Sequence, residues 1–316
     1  MKVLNKMIAI ACALFMLGTV FTSCSDDDDD DKTDNPEVGV CLKSQSNNWR
    51  KALNYYAKKE LDNLGLTYNI VAANNGTEQA TQLAKAALEN KVIILSPEGV
   101  SKEAIQAVIE KEIPVILLEE EYDVNYTALV QVDNNDVGKE AAAYMAKTEL
   151  TKVAVYGVTE DPASSNARVD NFVEAFSKAS PNTTVILKTI GKYTRENGKE
   201  MTLQLLDSDP TVEGIFAQDD EIALGVLDAL AERENTTVKV VIGCGGAQDY
   251  FTEIKSSETI DLASILYSPA EIMGKGVDIA ADVLKGNYPS TKKIVLTPTT
   301  VNKDNVEKYI DSSSPY

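Results

Sequence analysis

The sequence runs to 316 residues, 44% hydrophobic and 25% charged, which is enough to build one large or two ordinary domains around a proper core. A formal net charge of −19, with no basic stripe to offset it, argues against nucleic acid as a partner. There is no histidine. That removes His-based acid/base chemistry, His-activated nucleophiles and most transition-metal sites, and neither a metal nor a cofactor is expected.

In chain order, residues 1–23 read as an export signal. Lys2 and Lys6 give a basic start, and Met7 to Val20 is an apolar stretch too short for a comfortable membrane span. It ends in Phe21-Thr22-Ser23-Cys24, which is similar to a bacterial lipoprotein cleavage box. That likeness implies lipid on Cys24 and a membrane tie without a transmembrane helix. Residues 24–35 then form an acidic tether, because Asp26 to Asp31 repel one another and bury nothing. A Ser-Asp run after a lipidated cysteine also resembles signals for the outer cell surface. The expected location is the cell envelope, lipid-anchored, facing the periplasm or exposed on the outside.

From Glu37 the apolar pattern is regular. Runs at 37–42, 66–71, 92–95, 114–118 and 129–132 have the length and β-branched content of buried strands. Helical spacing fills 48–64, 76–90 and 101–111, with Trp49, Leu53, Tyr56, Ala57 and Leu61 on one face of the first. A second series follows, with strands at 152–157, 183–189, 212–217, 238–242 and 259–265 and helices at 166–179, 195–207, 220–234 and 248–256. The tail predicts a helix near 270–286, a strand near 293–297 and a final helix at 302–310. Alternating strands and helices, twice over, predict an α/β fold of two doubly wound parallel-sheet lobes. In open parallel sheets ligands bind beyond the carboxyl ends of the strands, so the cleft between lobes is the natural site. Cys41 and Cys244 lie in or beside apolar runs and read as buried free thiols.

Several blocks carry a more specific likeness. Val38-Gly39-Val40-Cys41-Leu42-Lys43-Ser44-Gln45-Ser46-Asn47-Asn48-Trp49 resembles the opening of ribose- and galactose-type periplasmic binding proteins. Ile93 to Pro97 and Ile113 to Leu118 match that family's third and fourth strands, and Val132-Asp133-Asn134 its first hinge crossing. Ile215 to Gly225, Ile242 to Gly246, and Ser268-Pro269 complete the set. The likeness covers Val38 to Thr300. It implies three crossings between lobes, with 36–133 plus 268–296 in the first lobe and 134–267 plus 297–310 in the second. It also implies a monomer that captures a monosaccharide or small polyol by hinge closure and hands it to an ABC permease. A receptor feeding a sensor or other surface uptake machinery is the alternative.

Carried over residue by residue, the likeness implies ligand contacts from Lys43, Asn47, Trp49 and Arg50 in the first loop, and Glu119 and Glu120 after the fourth strand. Asn166, Arg168, Tyr193, Asp219 and Tyr267 complete the expected set. Carboxylates accept from sugar hydroxyls, Lys, Arg and Asn donate, and an aromatic ring covers an apolar C–H face. Two departures stand out. Gly245 replaces a carboxylate, which implies a missing anchor and free space. The Glu119-Glu120 pair replaces Asp-Arg, which raises an amine-bearing sugar as a candidate unless Lys43 and Arg50 compensate. Other meanings compete: Trp49 as core packing, Glu119 to Glu121 as a solvated run, Tyr267 as a hinge packer, and Asp220 as a helix N-cap beside Asp219. A carboxylate pair such as Glu119 with Asp219 also admits a glycoside hydrolase, which the likeness opposes.

Overall fold

The computed structural model describes residues 35–235 and 237–316. The export signal, Cys24 and the acidic tether up to residue 34 lie outside the described residues.

The first five strands are β1 (Val38–Leu42), β2 (Tyr68–Ala72), β3 (Val92–Leu95), β4 (Val115–Leu118) and β5 (Ala128–Val132). Helices α1 (Asn48–Asn63), α2 (Gly76–Glu89) and α3 (Lys102–Ile109) connect the first four, while β4 and β5 are joined without a helix. Strands β1, β3 and β4 are buried at every position, as continuous Val/Ile/Leu runs covered on both faces must be. Each fully buried side chain such as Ile93 or Leu117 contributes about 1.5–3 kcal/mol against its exposed state.

The second series is α4 (Asn134–Met145), β6 (Lys152–Val158), α5 (Pro162–Ala179), β7 (Thr184–Ile190), α6 (Arg195–Ser208), β8 (Gly214–Phe216), α7 (Asp220–Glu232), β9 (Val240–Gly245), α8 (Gln248–Ser256) and β10 (Asp261–Leu266). The chain then supplies α9 (Pro269–Leu284), β11 (Lys293–Leu296) and β12 (Thr299–Asn302). One sheet has the order β11-β5-β4-β3-β1-β2 and the other β12-β10-β9-β8-β6-β7. All pairings are parallel except β10 with β12. Two doubly wound lobes result, and the chain passes between them after β5, after β10 and after β11.

Two elements depart from the sequence reading. Residues 302–310, expected to be helical, form only a 3-10 turn, Val306–Lys308, and follow the antiparallel strand β12, which ends at Asn302. The β-branched Thr299, Thr300 and Val301 favour the strand, and the Asn305 side chain, bonding the Asn302 backbone N–H at 2.9 Å, starts the turn. Conversely, α4 occupies a stretch to which no element was assigned. Asp133 announces it by capping Asn135 N at 2.8 Å.

Capping is general: α1 to α7 and α9 each begin with a side chain that accepts from a first-turn N–H. In a parallel sheet these helix starts follow the carboxyl ends of strands, so cap residues gather at the cleft. A buried glutamine braces each lobe there. Gln79 donates to Leu42 O (3.2 Å) and Ser96 O (2.9 Å), and accepts from Glu98 N (2.7 Å). In the other lobe Gln218 donates to Tyr156 O and to Ser165 Oγ (2.9 Å). Cys41 and Cys244 are free and buried, on strands of different sheets, and burial pushes the Cys41 thiol up to about 12. Among the described residues, no helix is long and apolar enough to cross a membrane.

Candidate functional site

Between the two sheets lies a cavity that, with its open mouth, encloses about 930 Å³. Strand ends from both lobes supply its wall: Lys43 and Asn47 after β1, Glu119 and Glu120 after β4, Glu160 and Asp161 after β6, Asp219 after β8 and Tyr267 after β10. The lobes also touch directly. Asn48 Nδ2 donates to Glu221 Oε1 at 3.0 Å, and the Trp49 and Tyr267 rings lie 6.0 Å apart.

On the first lobe, Lys43 sits between two carboxylates, 3.6 Å from Glu119 and 3.2 Å from Glu120. Burial works to lower its pKa, but Glu119 and Glu120 outweigh that and hold it above the ordinary lysine value. The glutamate pair thus has its own counter-ion. Glu119 also accepts from Ser96 Oγ at 2.5 Å, and its φ of 69° places it in the left-handed region, a strain of about 1–3 kcal/mol for a non-glycine residue. Arg50 is committed elsewhere, to Glu98 (3.1 Å), Ser44 Oγ (2.7 Å) and Ser46 Oγ (3.2 Å). Asn47 caps α1 through Oδ1, which leaves its amide N–H groups as what it offers a ligand.

The second lobe contributes a buried cation and a buried acid. Arg168 donates from Nε to Asn134 Oδ1 (2.8 Å) and from Nη1 to Gln218 O (3.0 Å), and stacks 4.6 Å from the Tyr267 ring centroid. Asp219 caps α7 by accepting from Glu221 N (2.9 Å) and Ile222 N (3.3 Å), so Asp219, and not Asp220, is the cap. Asp220 turns inward instead and binds Gly246 N (2.7 Å), Ala247 N (2.9 Å) and Ser264 Oγ (2.8 Å). Burial, then the charge of Asp220, raises the Asp219 pKa to about 7; a helix N–H and Arg168 pull it back. Gln218, just before it, has φ 54°, the second left-handed non-glycine residue beside the cavity. Trp49 Nε1 and Tyr193 Oη are buried without a hydrogen-bond partner. Both line the cavity, and burial without a partner is costly for such groups.

Ten of the eleven residues singled out from the sequence line this one cavity. Asn166 does not; it is exposed. On α5, Ser164 and Arg168 are one turn apart and share the cavity-facing side, while Asn166 lies midway and points across the helix. Trp49 both lines the cavity and packs against the core, so the two readings of it coincide. The space expected at Gly245 is filled by Tyr316, whose hydroxyl a Cβ there would strike. The lining further includes Asn134, Glu160, Asp161 and Ser164, together with Val132 and Ile272, none of which was assigned to the site beforehand. The loop after β6 carries Glu160 and Asp161, with Ser164 in the first turn of α5 beyond it, and their place past a parallel strand was the available signal.

Residues 38–287 match the sequence profile described as the periplasmic binding protein domain. The chain belongs to the periplasmic binding proteins. This periplasmic binding protein is 28% identical over 273 residues to the ribose import binding protein of Salmonella typhimurium, across 82% of its own length and 90% of the relative's. It is 24% identical over 270 residues to the D-allose-binding periplasmic protein of Escherichia coli, covering 79% and 85% of the two chains. Among solved structures it resembles an ABC transporter solute-binding protein from Actinobacillus succinogenes 130z with bound D-allose, at a TM-score of 0.79 and 18% identity. That match covers 87% of this chain and 100% of the other. The family binds solutes and does not transform them, so this periplasmic binding protein is not an enzyme.

Proposed function

We propose that the protein captures a neutral monosaccharide or small polyol in the interlobe cavity and delivers it to an ABC importer. The observation that carries this reading is the cavity wall itself. Mixed carboxylates and cations from both lobes surround it, with unpartnered buried donors on Trp49 and Tyr193 and aromatic faces from Trp49, Tyr193 and Tyr267. Sugar hydroxyls donate to Asp219 and Glu119 and accept from Lys43 and Asn47, while a ring covers the apolar face. Because Lys43 already pairs with both Glu119 and Glu120 and offsets one of their two charges, the glutamate pair does not call for an amine on the ligand. Relatives that bind ribose, D-allose and xylitol support the same ligand class.

Closure brings together the lobes 36–133 plus 268–296 and 134–267 plus 297–310 about the three crossings, completing hydrogen bonds that neither lobe makes alone. The closed, monomeric form is what the importer reads. Lipid on Cys24, with residues 24–35 as a spacer, anchors the protein to the cell envelope.

Trp49 is the sole tryptophan, so its fluorescence reports on the cavity. Titration with D-ribose, D-allose, L-arabinose, D-galactose and xylitol should change the emission for at least one, and Asp219→Ala should abolish that response. A wild-type protein silent to all five in fluorescence and calorimetry refutes the sugar reading. Radiolabelled palmitate incorporated into wild-type protein but not Cys24→Ala tests the anchor.

A further inference from the structure

Strands β8, β9 and β10 end side by side at the cavity. Ala217 N bonds Ile242 O at 2.8 Å, and Gly245 is in register with Leu266, so Asp219, Gly245 and Tyr267 mark three neighbouring strand ends. The outer two present cavity-lining side chains. The middle one presents none, and φ values of 125° at Gly245 and 116° at Gly246 suit glycine alone. Tyr316 occupies the resulting gap. It is 4% exposed, a Cβ on Gly245 would fall 3.2 Å from its Cζ and collide with its hydroxyl, and that hydroxyl has no hydrogen-bond partner. Burial holds this phenol well above the ordinary tyrosine pKa, and the carboxylates of Asp219 and Asp220 push it the same way.

The ring is held by a segment tied to both lobes. Gln248, at the start of α8, donates to Tyr309 O (3.2 Å) and accepts from Asp311 N (2.7 Å). Asp311 in turn pairs with Lys59 of α1 at 3.3 Å, and its carboxylate orders Ser313 N at 3.0 Å. Seated in a gap made by glycine and delivered by a segment tied to both lobes, the ring is placed with little freedom.

We propose that Tyr316 is a specificity-determining residue of the ligand site: its ring stops the space between Asp219 and Tyr267 and so sets how large a sugar the cavity accepts. This rests on the sugar reading above. Filling or vacating a pocket by about one substituent changes discrimination roughly 10- to 200-fold.

The test uses sugar pairs differing by a single hydroxymethyl group, D-ribose with D-allose and L-arabinose with D-galactose, with calorimetry on the full chain. In Tyr316→Ala the ratio of hexose to pentose affinity should shift at least tenfold toward the hexose in the pair that wild type binds. Tyr316→Phe keeps the ring and should leave that ratio within twofold. Tyr316→Leu, smaller than tyrosine but still apolar, should shift the ratio in the same direction as alanine and serves if the alanine variant does not fold. Ratios unchanged in both the alanine and leucine variants, with binding retained, overturn the proposal, as does a phenylalanine variant that shifts as far as alanine. Failure of wild type to bind any of the four sugars or xylitol is a different result. It overturns the sugar reading, and this inference with it.

Discussion

Asp219 makes sugar binding depend on pH in a direction that can be worked out in advance. Burial and the neighbouring Asp220 lift its pKa to about 7, so near neutrality the free protein holds it partly protonated. A ligand hydroxyl that donates to Asp219 needs the carboxylate form, and its donation lowers the pKa in the complex. Binding therefore releases a proton below about pH 7, and affinity rises with pH through that region and then levels. With the competent fraction about nine-tenths at pH 8 and about one-tenth at pH 6, the apparent Kd should weaken roughly tenfold between them. Stability of the unliganded protein moves the other way. A carboxyl whose pKa is raised by folding stabilises fully below its unfolded value, near 4, and that contribution is lost as pH rises through about 7. Asp220, raised to about 6, titrates nearby, and Glu221, Arg168 and Tyr267 share the surroundings, so the variant matters as much as the profile. Calorimetry at pH 6, 7 and 8, in buffers of different ionisation heat, reads affinity and proton release together. Asp219→Asn should bind more weakly at pH 8 and lose the slope. Equal wild-type affinity at pH 6 and pH 8, or a wild-type slope in Asp219→Asn, would refute the reasoning.

Other perturbations have equally definite outcomes. Lys43→Met strips Glu119 and Glu120 of their shared counter-ion and should weaken sugar binding at least tenfold. Its stability cost by urea denaturation should stay near 1–2 kcal/mol, because Glu120 is half exposed and water screens it. Asn166→Ala should leave affinity within twofold while Ser164→Ala lowers it severalfold; the reverse ranking, measured by calorimetry, would restore the sequence-based assignment. Gly225→Ala tests packing. An interior helical glycine changed to alanine ordinarily gains about 0.5–1 kcal/mol, but here the new Cβ meets the Arg195 carbonyl where α7 crosses α6. A net loss of about 1–3 kcal/mol in chemical denaturation is expected, and a stabilised variant would contradict the close approach.

The alternation of apolar runs and amphipathic stretches made both sheets legible, because strands buried on two faces leave no other pattern. Local turn chemistry was harder to read. Residues 302–310 were read as a helix, yet they follow a strand whose β-branched residues pair with β10, more than two dozen residues upstream, and form only a 3-10 turn. Site residues followed the same divide. Lys43, Glu119, Asp219 and Tyr267, singled out by the family likeness, all follow strand ends and line the cavity. Asn166 was misplaced by two residues on α5, where a shift of two reverses the face. Tyr316 was invisible to such reasoning, since nothing near it in the chain tells that Gly245 has made room.

Gln79 and Gln218, one per lobe, tie strand ends to neighbouring loops by bonds that involve backbone atoms and no ligand. Each half is thereby a stiff shell whose interior does not consult the cargo. Side chains on the rim can be exchanged while the jaws keep their shape and swing, so a new diet requires retooling a few teeth and leaves the mechanics of the bite intact.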